Sequence, residues 1–339
     1  YIQLEKKASE VILANIRRSF GDRAGLIARI ETFTQDSGLP LSLKNFIGYY
    51  HLDPRSIYDK FSFSRLCADA GVLDDFIEPA ESILTKAFSK LVAVDSRRWI
   101  KFLTDILPRF SCELAASLSD FEKRMLQMFY ITVFQEAADW RSHTTQANMQ
   151  LLADSPIMMH ELNELLSFNL ERIDFIDQPV PLGFDCPLDL HCTYTRDQIL
   201  IAMDYMTPKN VREGVKWLPD KQVDVFFITL NKADKDYSPT TMYEDYSISD
   251  RLFHWQSQST TSEDSPTGRR YISHRDTGSR ILLFVREYKN DDYGTEPYTF
   301  LGPADYQSHT GSRPMSITWK LERPIPARFL KKTNKLLAG

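Results

Sequence analysis

The hydrophobic period of the chain changes near its middle. Up to about residue 178, apolar side chains recur every three or four positions, as in "ASEVILANIRRSF", "AESILTKAFSKLVAV", "RRWIKFLTDIL" and "DFEKRMLQMFYITVFQEAADW". That spacing places one apolar stripe along a helix. Breakers and caps such as "DSGLP" and "SPIMMHELNELL" separate the helical segments. Prolines then gather in "DQPVPLGFDCPLDL", residues 177–190, where helix cannot continue. "TYTRDQILIAMDYM" follows as one more helix, with Thr195 and Gln198 at capping-box spacing. Beyond it the runs "EGVKWLP", "VDVFFITLN", "RLFHWQSQ", "RRYISH", "RILLFVREY", "PYTFLGPADYQSH" and "MSITWKLERP" are short, β-branched or aromatic, and bounded by turn residues. They predict a closed or nearly closed barrel. The expected fold class is therefore α+β, with an all-α helical domain over residues 1–190, a β-barrel domain over 191–339, and a short basic helix in "PARFLKKTNKLLAG".

Composition changes this picture little. The 339 residues are 42% hydrophobic, 26% charged and 12% aromatic, as in a globular protein with room for two cores. No apolar run approaches the roughly 20 residues that a bilayer span needs. The chain opens on Tyr1 in a helical pattern, as a piece of a larger protein would, and without a signal-peptide pattern. Cys67, Cys112, Cys186 and Cys192 include no Cys-x-x-Cys, which fits a reducing, cytoplasmic setting and buried thiols better than a metal site built with His191. The net charge of −5 divides into about −7 up to residue 190 and about +2 beyond it, so a local basic face is compatible with the total.

In the helical half, "LKNFIGYYHLDPRSIYDK" and "FSRLCADAGV" have the texture of a helix-turn-helix. Arg55, Lys60 and Arg65 are thin support for DNA binding there, and a protein-packing helical domain is the simpler reading.

Three segments of the second half carry candidate chemistry. In "MYEDYSISDRLFHWQSQ", Phe253 and Trp255 alternate with His254, Gln256 and Gln258, so rings face one way and neutral hydrogen-bonding groups the other. Tyr243 and Trp255 bracket a turn with Glu244, Asp245 and Tyr246. Two rings and a carboxylate converging at a barrel mouth would hold a base taken out of a duplex; core aromatics beside a capped turn are the plain alternative. The loop "SQSTTSEDSPTGRRY" offers Thr260, Thr261, Arg269 and Arg270 for phosphate contacts, or is a solvated hairpin loop. Asp276 with Glu287 and Lys289 in "HRDTGSRILLFVREYK" has the acid…Glu-x-Lys form of a magnesium-dependent nuclease, although acid and lysine two apart also occur on ordinary strand ends. His254, His274 and His309 lack ligand spacing, and hydrogen-bonding roles are preferred to a metal. No Gly-rich phosphate loop or Gly-x-Ser-x-Gly elbow is present.

The run from "EGVKWLPDKQVDVFFITLN" through "LFHWQSQS", "LFVREYK" and "GSRPMSITWKL" resembles the C-terminal region, a domain of unknown function, attached to bacterial superfamily-two DEAD/DEAH-type helicases. The opening "YIQLEKKASEVILANIRRSF" resembles the helical segment after the motor domains. Among such proteins, the SauUSI-type ATP-dependent type IV restriction enzymes place a phospholipase-D-like nuclease before the motor and a helical coupler and SRA-like domain after it. The resemblance implies an SRA/PUA-like barrel that reads 5-methylcytosine or 5-hydroxymethylcytosine in double-stranded DNA by base flipping, with no cofactor and no catalysis of its own. Its partners would be that DNA and the helicase and nuclease domains of the parent chain. "YEDYSISDRLFHW" matches the SRA pocket pattern, with Tyr243 and Trp255 at the aromatic places and Asp245 near the acid's; Tyr246 stands where the carboxylate is expected. Phe253 then helps to wall the base, His254, Gln256 and Gln258 touch base edges, and Thr260, Thr261, Arg269, Arg270, His274 and Arg313 contact the backbone. The rivals are the nuclease, and a helicase accessory that binds protein or RNA.

Overall fold

A computed structural model describes residues 22–232 and 245–333. Tyr243, Glu244, the opening helical run and the end of the basic tail lie outside the described residues. The described residues divide into two compact units: 22–94, 103–116 and 132–173 form one, and 95–102, 117–131, 174–232 and 245–333 the other.

The first unit is helical. It contains α1 (Arg23–Ser37), α2 (Leu43–Tyr50), α3 (Phe63–Asp69) and α4 (Glu81–Leu91). α6 (Cys112–Ser117), α8 (His143–Ala153) and α9 (Pro156–Arg172) belong to it as well, whereas most residues of α5 (Arg97–Ile106) and α7 (Asp120–Phe134) belong to the second unit. Asp22, Ser42 and Ser62 cap α1, α2 and α3 through their side chains. Glu161 on α9 is buried and accepts the Phe63 and Ser64 amides at 2.6 and 2.8 Å, so it satisfies the open N-terminus of α3. The candidate helix-turn-helix region keeps its cations occupied: Arg65 bonds Glu81 and Asp75, Arg55 bonds Asp53, and Lys60 lies 3.9 Å from Asp59. Packing within the protein accounts for this region.

In the second unit, β1 (Gln178–Pro179) pairs with β2 (Asp189–Leu190), and β3 (Thr193–Tyr194) precedes α10 (Arg196–Ala202). The expected capping box is present, with both Thr195 and Gln198 bonds made. Next come β4 (Val215–Leu218), β5 (Val223–Asn231), β6 (Tyr246–Ser247), β7 (Leu252–Gln256), α11 (Pro266–Thr277) and β8 (Arg280–Tyr288). A small hairpin of β9 (Asn290–Asp291) and β10 (Gly294–Thr295) leads to β11 (Tyr298–Thr310), β12 (Ser316–Leu321) and α12 (Ala327–Thr333).

The main sheet has the order β4-β5-β8-β11-β12-β7-β6, with β3 paired to β11. Among the described residues only β5 and β8 pair in parallel; both are nearly continuous apolar runs because both of their faces are covered. The sheet is an open path from β4 to β6, so the closed barrel expected from the strand count is not seen among the described residues. One reason is a misread element. "RRYISH" lies within α11, where Ser265 accepts the Gly268 amide as N-cap, Pro266 starts the helix and Gly278 ends it at φ 74°. Strand-like composition there yielded to helix punctuation.

One face of the sheet carries the core: Phe226, Ile228, Phe253, Trp255, Ile281, Leu283, Ile317 and Trp319, with Tyr271 from α11 packed among them.

Candidate nucleic-acid interface

On the face away from that core, β6, β7, β12 and β11 place opposed residues in rows. Tyr246 pairs with His254, His254 with Thr318, and Thr318 with Ser308. In the next row Gln256 pairs with Ser316, and Ser316 with Thr310. Directly opposed residues share a sheet face. Seven neighbouring side chains therefore present hydroxyl, amide and imidazole groups, and none is a carboxylate or a permanent cation. A further row of Leu252, Lys320 and Asp305 adds one charge of each sign. β7, β12 and the last part of β11 lie in stretches without carboxylates, Leu252–Ser262 and Tyr306–Leu321. Tyr246 and His254 stack, with ring centroids 4.7 Å apart and planes 16° from parallel.

The alternation read in "LFHWQ" is correct, and it sends Phe253 and Trp255 inward. Trp255 is only 6% exposed, with its ring 4.4 Å from Phe226 and in edge contact with Tyr271. Phe253 is fully buried. Both are core residues rather than walls of an open pocket, because the sheet face they occupy is covered by α11. Asp245 is committed as well: Oδ2 accepts from Lys232 Nζ at 2.9 Å and Oδ1 accepts the Gln256 amide at 2.9 Å. Burial raises its carboxyl above the usual range despite Lys232.

The expected phosphate contacts separate into two groups. Arg270 is turned inward by Asp224, which is fully buried and receives Nε and Nη2 at 2.7 and 2.9 Å. The same guanidinium lies 4.3 Å from the Trp217 ring centroid. Thr261 is buried, and its carbonyl accepts the Arg313 amide. His274 is buried in backbone bonds: Nε2 accepts the Tyr306 amide at 3.0 Å, so Nδ1 carries the proton and donates to the Ser279 carbonyl at 3.2 Å. Burial lowers its pKa. Gln258, Thr260, Arg269 and Arg313 are exposed, so these four remain open to a ligand. Arg313 sits at the tip of the β11–β12 hairpin.

One constellation escaped the sequence reading. Tyr306 Oη lies 2.6 Å from His309 Nδ1, and His309 Nε2 lies 3.1 Å from Glu263 Oε2. With Glu263 ionised, Nε2 donates to it and Nδ1 accepts the tyrosine hydroxyl. The spacing Tyr-x-x-His hints at two of its members, but Glu263 arrives from 46 residues away.

Asp276 is not brought to Glu287 and Lys289. It precedes β8, whereas the other two are at its far end, roughly 20 Å along the strand. Among the described residues no group of three His, Cys, Asp or Glu side chains is placed to hold a metal ion. Cys67, Cys186 and Cys192 are buried free thiols, and burial pushes Cys67 and Cys186 up to about 12. No described helix is long and apolar enough to cross a membrane.

Residues 188–332 match the model of a domain of unknown function (DUF3427), a span that runs from β2 into α12 and contains the whole polar face. No curated protein matches the chain.

Proposed function

We propose that the sheet-rich part of this chain is a DNA-recognition module for modified cytosine, and that the whole chain serves as the non-catalytic C-terminal portion of an ATP-dependent restriction helicase-nuclease. The observation that carries this reading is the two-row face of Tyr246, His254, Thr318, Ser308, Gln256, Ser316 and Thr310. A face that needs only solubility is commonly populated with Lys and Glu. Uncharged donors and acceptors in a row instead match the edges of bases and the sugar-phosphate oxygens. Lys320 beside the face, and Arg313 at the tip of the β11–β12 hairpin, supply positive charge. The match over residues 188–332 is consistent with the resemblance to helicase-attached regions.

In this reading the stacked Tyr246–His254 pair offers the ring surface for a base leaving the duplex, a role that the core position of Trp255 leaves to outward-facing rings. Asp245 positions the start of β6 instead of accepting from the base. The test is the affinity of the full chain for a duplex with one cytosine plain, 5-methylated or 5-hydroxymethylated, at several salt concentrations. Preference for a modified duplex that persists as salt rises, and that is lost in a His254→Ala, Gln256→Ala variant, is expected. Equal affinity for all three duplexes at every salt concentration would overturn the reading.

A further inference from the structure

Near the end of β8, Arg286 is a buried cation that makes no ion pair among the described residues. It stands opposite Thr229 of β5 and is 7% exposed. Its Nε donates to Thr229 Oγ1 at 2.9 Å and its Nη1 to the Glu296 carbonyl at 3.2 Å, while the guanidinium lies 4.4 Å from the Tyr298 ring centroid. A hydroxyl, a carbonyl and a ring face carry no net charge. The Glu296 carboxylate accepts the Tyr288 amide at 3.2 Å and forms no ion pair with Arg286. A buried arginine is normally paired, because the water taken from its charge has to be replaced by an anion.

A second guanidinium meets the same tyrosine. Arg196 of α10 donates Nη2 to Tyr298 Oη at 3.4 Å and Nη1 to the Val211 carbonyl at 3.1 Å, and lies 4.7 Å from the Phe227 ring centroid. It too makes no ion pair among the described residues. Asp197, next to it in the chain, pairs with Lys209, and Glu213, on which the charge of Arg196 acts, accepts the Arg212 amide at 3.1 Å. Nη2 of Arg286 and Nε of Arg196 donate to no described residue, and neither atom is sealed from solvent. Two fixed positive charges with N–H groups to spare, beside the Tyr298 and Thr229 hydroxyls, suit a doubly charged tetrahedral oxyanion. Because Arg286 is recessed, that anion has to enter end-on. A terminal phosphate does so, whereas the diester of a duplex backbone is flanked by sugars on both sides.

We propose that Arg286 and Arg196 bind the terminal phosphate of a small ligand, either inorganic phosphate or a phosphate monoester, beside Tyr298. The site does not depend on the DNA reading. Melting of the full chain in rising sodium phosphate, adenosine 5′-monophosphate, sodium acetate or sodium chloride, at matched ionic strength, tests it. Phosphate or the nucleotide should raise the melting temperature along a saturating curve, and acetate and chloride should not. Tighter binding of the nucleotide than of phosphate assigns a monoester; equal or weaker binding assigns the free ion. Arg286→Met and Arg196→Gln should each weaken binding by roughly tenfold or more. Without phosphate, Arg286→Met should melt at or near the parent temperature, because it removes an uncompensated charge and keeps an apolar stem. Arg196→Gln changes a partly exposed position and so tests the site independently of packing around Arg286. No saturating response of the parent to either phosphate ligand, or a response that both variants keep, would overturn the proposal.

Discussion

Asp245 and Lys232 hold each other out of water. Their Oδ2–Nζ separation is 2.9 Å, and the two side chains are 3% and 10% exposed. Because the second Asp245 oxygen takes the Gln256 amide, this carboxylate joins the end of β5 to both β6 and β7. It acts as a fastener beneath the polar face.

Removing one side of a buried pair costs more than replacing both. Lys232→Met leaves a buried carboxylate without its cation and should lower stability by about 3 kcal/mol at neutral pH. Because Asp245 already has a raised pKa, protonation relieves this loss, and the deficit should shrink as pH falls. Lys232→Met combined with Asp245→Leu should cost less than the sum of the single changes. Urea denaturation across the pH range checks all three expectations.

The adjacent arginines of α11 should behave oppositely. Arg270→Ala strands the fully buried Asp224 and should destabilise by about 3–5 kcal/mol, with any loss of DNA binding explained by folding. Arg269 is 71% exposed and only 4.0 Å from Asp264, so Arg269→Ala should leave melting within about 0.5 kcal/mol of the parent. In the DNA reading it instead weakens duplex affinity and reduces the slope of log affinity against log salt by roughly 1. Parallel melting and salt titrations separate the two residues.

Gly268 should not tolerate any side chain. A Cβ there would overlap the Ser262 carbonyl, which is backbone and cannot rotate away, and would press on Met315 Sδ. Gly268→Ala should cost about 2–3 kcal/mol, more than the roughly 1 kcal/mol expected for loss of the Ser265 cap in Ser265→Ala. Thermal melts of the two variants measure the order.

Asp95 should make stability depend on pH near neutrality. Burial raises its carboxyl to about 7, although the Thr193 amide donates to it at 2.7 Å. A raised acid contributes stability that is complete below the unfolded value near 4 and is lost as pH rises through about 7. The parent should therefore lose on the order of 2 kcal/mol between about pH 5 and pH 8 from this group. Asp95→Asn keeps an acceptor for Thr193 and should flatten that decline. Urea midpoints at steps across the interval check it, and an unchanged slope in the variant would remove Asp95 as the cause.

The site was legible in sequence only to the extent that it is local. The inward rings and outward polar side chains of β7 follow from strict alternation. The function of each ring was not visible, because Trp255 in a pocket wall and Trp255 in a core have the same spacing. The helix at 266–277 was signalled by Ser265-Pro266 and Gly278, but the β-branched and aromatic texture of "RRYISH" obscured it.

By itself, then, the sequence determined the change from helical to strand-like period, the proline connector, the Thr195 capping box and which side of β7 faces inward. Each of these is set by neighbours within a few residues, where backbone geometry imposes a fixed period. Only the tertiary structure decided that β5 lies parallel to β8, that the sheet stays open, that Arg270 belongs to Asp224 46 residues away, and that Glu263 completes the Tyr306–His309 chain. Such pairings arise when distant segments compete to bury apolar surface and to compensate buried charge, and that competition leaves no period in the chain to read.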